Sequence, residues 1–199
     1  MSGASRAIAL ASRNAGKLAE LRALAGGRLD LVAMPSDPAP PEVEEDGDTY
    51  EENALAKARA IARHVNGPAL ADDSGLEVDA LGGRPGVRSA RYGGEGLDDA
   101  GRCRRLLDEI GDRADRGARF VCVLALVDGE REVLARGVLE GEIARAPRGA
   151  SGFGYDPVFV AAGLGGRTFA EASAEEKNRI SHRARAMAGL LERLAAAPR

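Results

Sequence analysis

The sequence contains no tryptophan, two cysteines and two histidines, and 4% of its residues are aromatic. With so few rings, its 44% hydrophobic content has to build a core mainly from Ala, Val, Leu and Ile. Cys103 and Cys122 lie far apart in apolar surroundings and form neither a CxxC pair nor a zinc spacing. They read as two buried free thiols in a reducing compartment. No stretch approaches the roughly 18 apolar residues of a membrane helix. The opening "MSGASRAIALAS" is too short and too weakly apolar for a signal peptide. Charge of one sign is lacking as well, since 28 Lys and Arg stand against 31 Asp and Glu, a net of -3. That excludes an overall basic field drawing the protein to nucleic acid or anionic membranes, so cations matter only where they converge. The expectation is a soluble cytoplasmic protein, and 199 residues suit a single domain over 1–199.

The segments that are present alternate in type. "AIALA" (7–11) and "LDLVAM" (29–34) predict short strands around a helix at 14–26, where Leu18, Leu21 and Leu24 recur at helical spacing and Gly26–Gly27 stop it. A proline-rich acidic loop follows (35–48). A long helix is predicted at 49–65, with Leu55, Ala58, Ile61, Ala62 and Val65 on one face. "PALA" and "LEVDAL" predict two strands flanking a pair of aspartates. The stretch 82–96 is too rich in glycine for regular structure. A helix at 98–110 capped by Asp98 or Asp99, a hairpin of 118–127 with 131–143 turning at Asp128–Gly129, a glycine-rich loop (148–156), a strand near "PVFV" and a helical C-terminal region complete the chain. This interleaving predicts an α/β fold with a mixed sheet.

Four clusters carry chemistry. In "PALADDSGLEVDALGG", Asp72 and Asp73 repel each other and resist burial unless a positive charge is near. Asp, Ser and Gly favour a polar turn; a metal or catalytic carboxylate at a strand tip is the alternative. Successive strand residues face opposite sides, so one aspartate would face a site and the other would be structural. "SRNAGK" (12–17) joins the first strand to the first helix. Either it is a plain capped start, or its bare N–H groups and positive dipole end hold phosphate. Lys17 lies in that first turn, where the dipole disfavours a cation unless an anion is close. The spacing is not that of a P-loop. In the acidic loop, Glu44 or Glu45 would join Asp73 in a Mg²⁺ site, or the loop is simply solvated.

The remaining clusters lie in the second half. "RGASGFGYDP" (148–157) presents Phe153 and Tyr155 on bare backbone, either as a stacking platform for a purine or as rings sealing the core. In "SAEEKNRISHRARA", Ser173 and Glu176 form a capping box. On one straight helix at about 100° per residue, Lys177, His182 and Arg183 would point three different ways. A break with Ser181 as second cap would place His182 and Arg183 in the first turn of the last helix, which buries Ala184, Met187, Leu191 and Leu194.

Together, "SRNAGKLAEL", "EENALAKARA", "ADDSGLEVDALGGRPGVRSARYGG", "GFGYDPVF" and "EEKNRISHRARA" resemble the inosine/xanthosine triphosphate pyrophosphatases, in order and over nearly the whole chain. The resemblance implies an elongated mixed α/β fold of two lobes with a substrate cleft between them, commonly a homodimer. It also implies Mg²⁺-dependent hydrolysis of a deaminated purine nucleoside triphosphate to monophosphate and pyrophosphate. By the same resemblance, Ser12, Arg13, Asn14, Ala15, Gly16 and Lys17 match the phosphate-binding turn, and Lys57 and Arg91 match basic residues of the cleft. Asp73 matches the proton acceptor and metal ligand, beside Ser74. Phe153, Gly154, Tyr155 and Asp156 match the base-binding loop, and Lys177, His182 and Arg183 the rest of the pocket. The acidic loop is richer in acids than the family pattern, which leaves Glu44 and Glu45 as alternatives for the metal. A 6-oxo base would accept from Arg183 or His182, whereas adenine would set donor against donor. Two other classes compete: a septum-type nucleotide pyrophosphatase with pyrimidine or modified-base preference, and a non-catalytic nucleotide sensor. Against the sensor, carboxylates beside phosphate gain nothing without a metal.

Overall fold

The computed structural model describes residues 6–94 and 96–196. Its centre is a six-stranded sheet in the order β2-β1-β3-β4-β5-β6. The strands are β1 (Ile8–Leu10), β2 (Leu31–Ala33), β3 (Ala69–Val78), β4 (Gly117–Asp128), β5 (Arg131–Ile143) and β6 (Phe159–Ala161). Strand β1 runs parallel to β2 and β3, with Ala9 opposite Val32 and Ala69, while β6 is antiparallel to β5. The mixed sheet predicted from the alternation of elements is therefore present.

Among the described residues five α-helices accompany the sheet: α1 (Ala15–Ala25), α2 (Tyr50–Val65), α3 (Asp99–Ile110), α4 (Ala174–Ile180) and α5 (His182–Ala196). Their ends follow local chemistry. Asn14 caps α1 by accepting from the Lys17 N–H, and α1 stops at Gly26, whose φ of 56° suits glycine. Thr49 and Glu52 form a reciprocal capping box at the start of α2. The buried face of α2 is not purely apolar: it reads Tyr50, Asn53, Ala54, Lys57, Ala58, Ile61 and Ala62, with Leu55 and Val65 only half-buried. Helix α5 buries Met187 as expected, together with Ala186 and Leu190, while Leu191 and Leu194 pack half-buried against the same core and Ala184 is half-buried.

Backbone contacts divide the chain into two compact units, each with its own core. The first holds the chain through Asp73, then Cys122–Gly137 and the residues from Arg183 onward. Ile8, Leu10, Leu21, Leu31, Leu70, Leu124, Met187 and Leu190 pack together there. The second holds Ser74–Val121 and Val138–His182, around Leu76, Leu106, Phe120, Leu139, Phe159 and Phe169. Phe120 and Phe159 meet at 4.4 Å between ring centroids, so the scarce aromatics are concentrated in this second core. No helix among the described residues is long and apolar enough to cross a membrane.

Two expectations are corrected. Asp72 and Asp73 do not separate two strands, because β3 runs unbroken through Asp72, Asp73, Ser74 and Gly75. Turn propensity loses because both carboxylates find cationic partners in extended backbone. Nor is the glycine-rich stretch wholly irregular. Residues Gly86–Arg91 form a 3₁₀ turn, pinned where Ser89 donates to the Gly86 carbonyl and accepts from the Leu76 N–H.

Candidate functional site

Adjacent positions on β3 send Asp72 and Asp73 to different partners, and both are buried. Asp72 receives Lys17 Nζ on Oδ1, and Arg183 Nε (3.2 Å) and Cys122 Sγ (3.5 Å) on Oδ2. Its carboxylate is thus the anion that the lysine in the first turn of α1 requires. Asp73 receives Lys57 Nζ on Oδ1 at 2.9 Å and Asn53 Nδ2 on Oδ2 at 3.4 Å. Lys57 also donates to the Asp72 carbonyl (2.9 Å) and lies 3.2 Å from Glu45 Oε1. The ammonium of Lys57 therefore bridges two carboxylates that come from β3 and from the acidic loop.

The electrostatics follow from crowding three carboxylates around that ammonium. Burial lifts the Asp73 carboxyl above its ordinary range; Lys57 opposes the rise, while Glu45 and Asp72 add to it. Burial alone would lower the lysine, but Asp73, Glu45 and Asp72 outweigh it and hold the Lys57 ammonium above its ordinary value. A cluster with more acid than base favours every proton and cation it can take.

A cavity of about 330 Å³ opens here. Ser12, Arg13 and Lys17 line one part of it, Glu42, Val43 and Glu45 of the acidic loop another, and Lys57 and Asp72 a third, with apolar residues such as Met34 and Ile61 between them. The Ser12 hydroxyl accepts from the Asn14 N–H at 3.2 Å, which shapes the turn before α1. Ala15 and Gly16 follow as exposed residues of its first turn. Between the two glutamates, Glu45 reaches Lys57 while Glu44 is exposed. Among the described residues no three His, Cys, Asp or Glu side chains stand together as a metal-binding group. Two carboxylates sharing one cationic position still suit Mg²⁺, which takes one or two carboxylates and completes its shell with water and substrate phosphate.

The second unit holds the remaining predicted residues. Lys177 Nζ donates to Asp156 Oδ2 at 2.7 Å and stands 4.8 Å from the centre of the Phe153 ring. The Phe153 N–H also donates to Asp156 Oδ2 (3.0 Å). Gly152 is held at φ 81°, and a Cβ on it would come within 2.1 Å of that oxygen, so no side chain fits. Tyr155 is buried, with its hydroxyl donating to the Ser89 carbonyl at 2.9 Å. His182 stacks on Phe120, with centroids 4.7 Å apart and planes at 16°. The chain does break at Ser181, whose extended backbone (ψ 158°) separates α4 from α5. Ser74 lies on β3 directly after Asp73, and Arg91 is exposed at the end of the 3₁₀ turn.

The structure thus gathers Ser12, Arg13, Lys17, Glu45, Lys57, Asp72, Asp73 and Arg183 in the first unit, and Phe153, Asp156 and Lys177 in the second. Arg183 stands with His182 in the first turn of α5, as the break at Ser181 predicts, and its guanidinium turns to Asp72 and to Glu20 Oε2 (3.5 Å). Three participants escaped the sequence reading. Glu20 follows Lys17 by three positions and Asn53 precedes Lys57 by four, the separations that share a helix face. For Cys122, only an apolar strand pattern was on offer.

The chain matches the model of the Ham1 family over residues 8–193. A protein of Symbiobacterium thermophilum named dITP/XTP pyrophosphatase is 53% identical over 193 residues, covering 95% of each chain. One of the same name from Ralstonia nicotianae is 51% identical, covering 95% of this chain and 96% of its own. The solved structure of a HAM1 protein from Coxiella burnetii superposes with a TM-score of 0.85 at 45% identity, covering 96% of this chain and 99% of that one.

Proposed function

This chain belongs to the Ham1 family, and on that premise we propose that it hydrolyses deaminated purine nucleoside triphosphates (ITP, dITP and XTP) to the monophosphate and pyrophosphate. Such an activity would keep those nucleotides out of DNA and RNA. The names of its relatives support the reaction class. The observation that carries it is the division of labour on β3. One aspartate gathers Lys17 and Arg183, and its neighbour shares Lys57 with Glu45.

A triphosphate brings about four negative charges, so its site has to provide cations and N–H donors. Lys17, Lys57 and the first turn of α1 provide them around the cavity. Asp73 and Glu45 are the residues that would hold Mg²⁺, which when bound neutralises phosphate charge and acidifies a water. Asp73 orients the attacking water and accepts its proton. The water adds to the α-phosphorus and pyrophosphate leaves. Phe153, Gly154, Tyr155, Asp156, Lys177 and His182, with Ser74 and Arg91, keep the base- and substrate-reading roles. A donor on His182 suits a 6-oxo group and mismatches a 6-amino group. A cytoplasmic homodimer without a nucleic-acid partner completes the proposal.

The deciding experiment measures pyrophosphate released from ITP, dITP, XTP, ATP, GTP and UTP, with Mg²⁺ and after chelation. Release from the deaminated purines only, and only with metal, is the expected result. Preferred release from a pyrimidine triphosphate overturns the substrate assignment, and binding without release overturns the enzyme.

A further inference from the structure

Asn53 is a polar residue on the buried face of α2, with 2% of its surface exposed. Its amide is used from both ends. Oδ1 accepts from the Gly47 N–H at 2.9 Å, while Nδ2 lies within reach of Asp73 Oδ2 (3.4 Å) and the Gly47 carbonyl (3.5 Å). Gly47 belongs to the acidic loop, two residues after Glu45. The approach is close enough that a Cβ on Gly47 would meet Asn53 Oδ1 at 2.7 Å and Glu52 Cβ at 3.0 Å. One buried side chain therefore ties the loop backbone to the carboxylate on β3. The capping box at the start of α2 adds a second tether, as Glu52 Oε2 accepts the Asp48 N–H at 3.0 Å.

We propose that Asn53 is a positioning residue: it fixes the acidic loop against Asp73 so that the Glu45 and Asp73 carboxylates stand together as one cation-binding pair. The inference rests on the pyrophosphatase reading and assigns the preorganisation of its metal-holding pair to a residue that touches neither metal nor substrate. The physical need is plain. Residues 35–48 contain no helix or strand, and two carboxylates repel, so they stay together only where the backbone that carries them is held. Lys57 compensates the charge, but a flexible ammonium sets no backbone geometry. The planar amide does, because it holds both backbone groups of Gly47 while its donor also reaches Asp73. Partners that orient a ligating carboxylate without touching the metal are commonly worth about 10–100-fold in affinity.

The test uses Mn²⁺, which prefers the same oxygen ligands, titrated into the full chain and followed by the resonance signal of the free ion. Asn53→Ala is compared with Gly47→Ala, which leaves the amide intact but displaces its partner. Both variants are expected to weaken Mn²⁺ binding by about tenfold. Both are also expected to raise the Mg²⁺ concentration needed for half-maximal pyrophosphate release, with the KM for ITP at saturating Mg²⁺ unchanged within about twofold. A role confined to folding would instead lower the melting temperature and the active fraction and leave the Mn²⁺ dissociation constant alone. If both variants bind Mn²⁺ as the unaltered protein does, the positioning role falls and the functional reading stands. If the unaltered protein neither binds Mn²⁺ nor releases pyrophosphate, the functional reading falls and takes this inference with it. Should Asn53→Ala fail to fold, Gly47→Ala decides alone, since Gly47 lies in the loop with no helix or strand to break.

Discussion

Asp72 and Arg183 are 111 positions apart in the chain, yet the guanidinium Nε donates to the carboxylate Oδ2 at 3.2 Å, with side chains only 1% and 5% exposed. Arg183 Nη1 also stands 3.5 Å from Glu20 Oε2, so one buried cation answers a buried acid and a half-buried one. This pairing ties the first helical residues of α5 to β3 and α1.

Removing the guanidinium leaves those two carboxylates in the interior with one fewer partner. Arg183→Ala is therefore expected to destabilise the protein by about 3–5 kcal/mol, the usual loss on breaking a buried ion pair from one side. Arg183→Lys is expected to recover only part of that, because a point charge cannot present the same spread of donors. Urea denaturation of the three proteins checks this, and an unchanged midpoint for Arg183→Ala would show that the contact contributes nothing.

For Asp73 the expectation concerns turnover. Asp73→Asn keeps the shape of the side chain but withdraws both the proton acceptor and a negative charge. Pyrophosphate release from ITP is expected to fall by about a hundredfold or more, while calorimetry still detects ITP binding. Near-normal release by this variant would remove Asp73 from the chemistry.

A pH effect is expected in the second unit. Burial first, and then the hydrogen bond to Glu109, push the Tyr92 hydroxyl from 10.0 up to about 12, with Arg84 and Arg105 acting against them. The folded state thus disfavours tyrosinate more than the unfolded chain does. The associated stability is fully present below pH 10 and lost as pH rises through 12. Alkaline titration of the tyrosinate absorbance should show a component near 12 that Tyr92→Phe deletes. The same substitution should flatten the decline of stability across that interval. If Tyr92→Phe instead deletes a component near 10, then neither the burial of Tyr92 nor its contact with Glu109 persists in solution.

Much of this architecture can be read directly along the chain. The first helix ends at glycine and starts at Asn14 because capping is decided by residues a few positions apart. The break at Ser181 is equally local, since its backbone turns extended while its N–H still closes α4 on the Lys177 carbonyl. The acidic loop, the hairpin and the short early strands follow from composition and period for the same reason.

Other features depend on partners that are distant in sequence. Local propensity alone favours a turn at Asp72–Asp73; the pair stays in β3 because Lys17, Lys57 and Arg183 arrive from three different helices to neutralise it. The sequence by itself determined the residue types and the helix ends. Only the tertiary structure decided that Glu45 rather than Glu44 meets Lys57, that Arg183 turns inward to Asp72, and that Asn53 joins the loop to Asp73. The reason is physical. Capping and strand alternation act over a few residues, whereas compensation of a buried charge depends on which distant side chains folding brings within hydrogen-bonding distance.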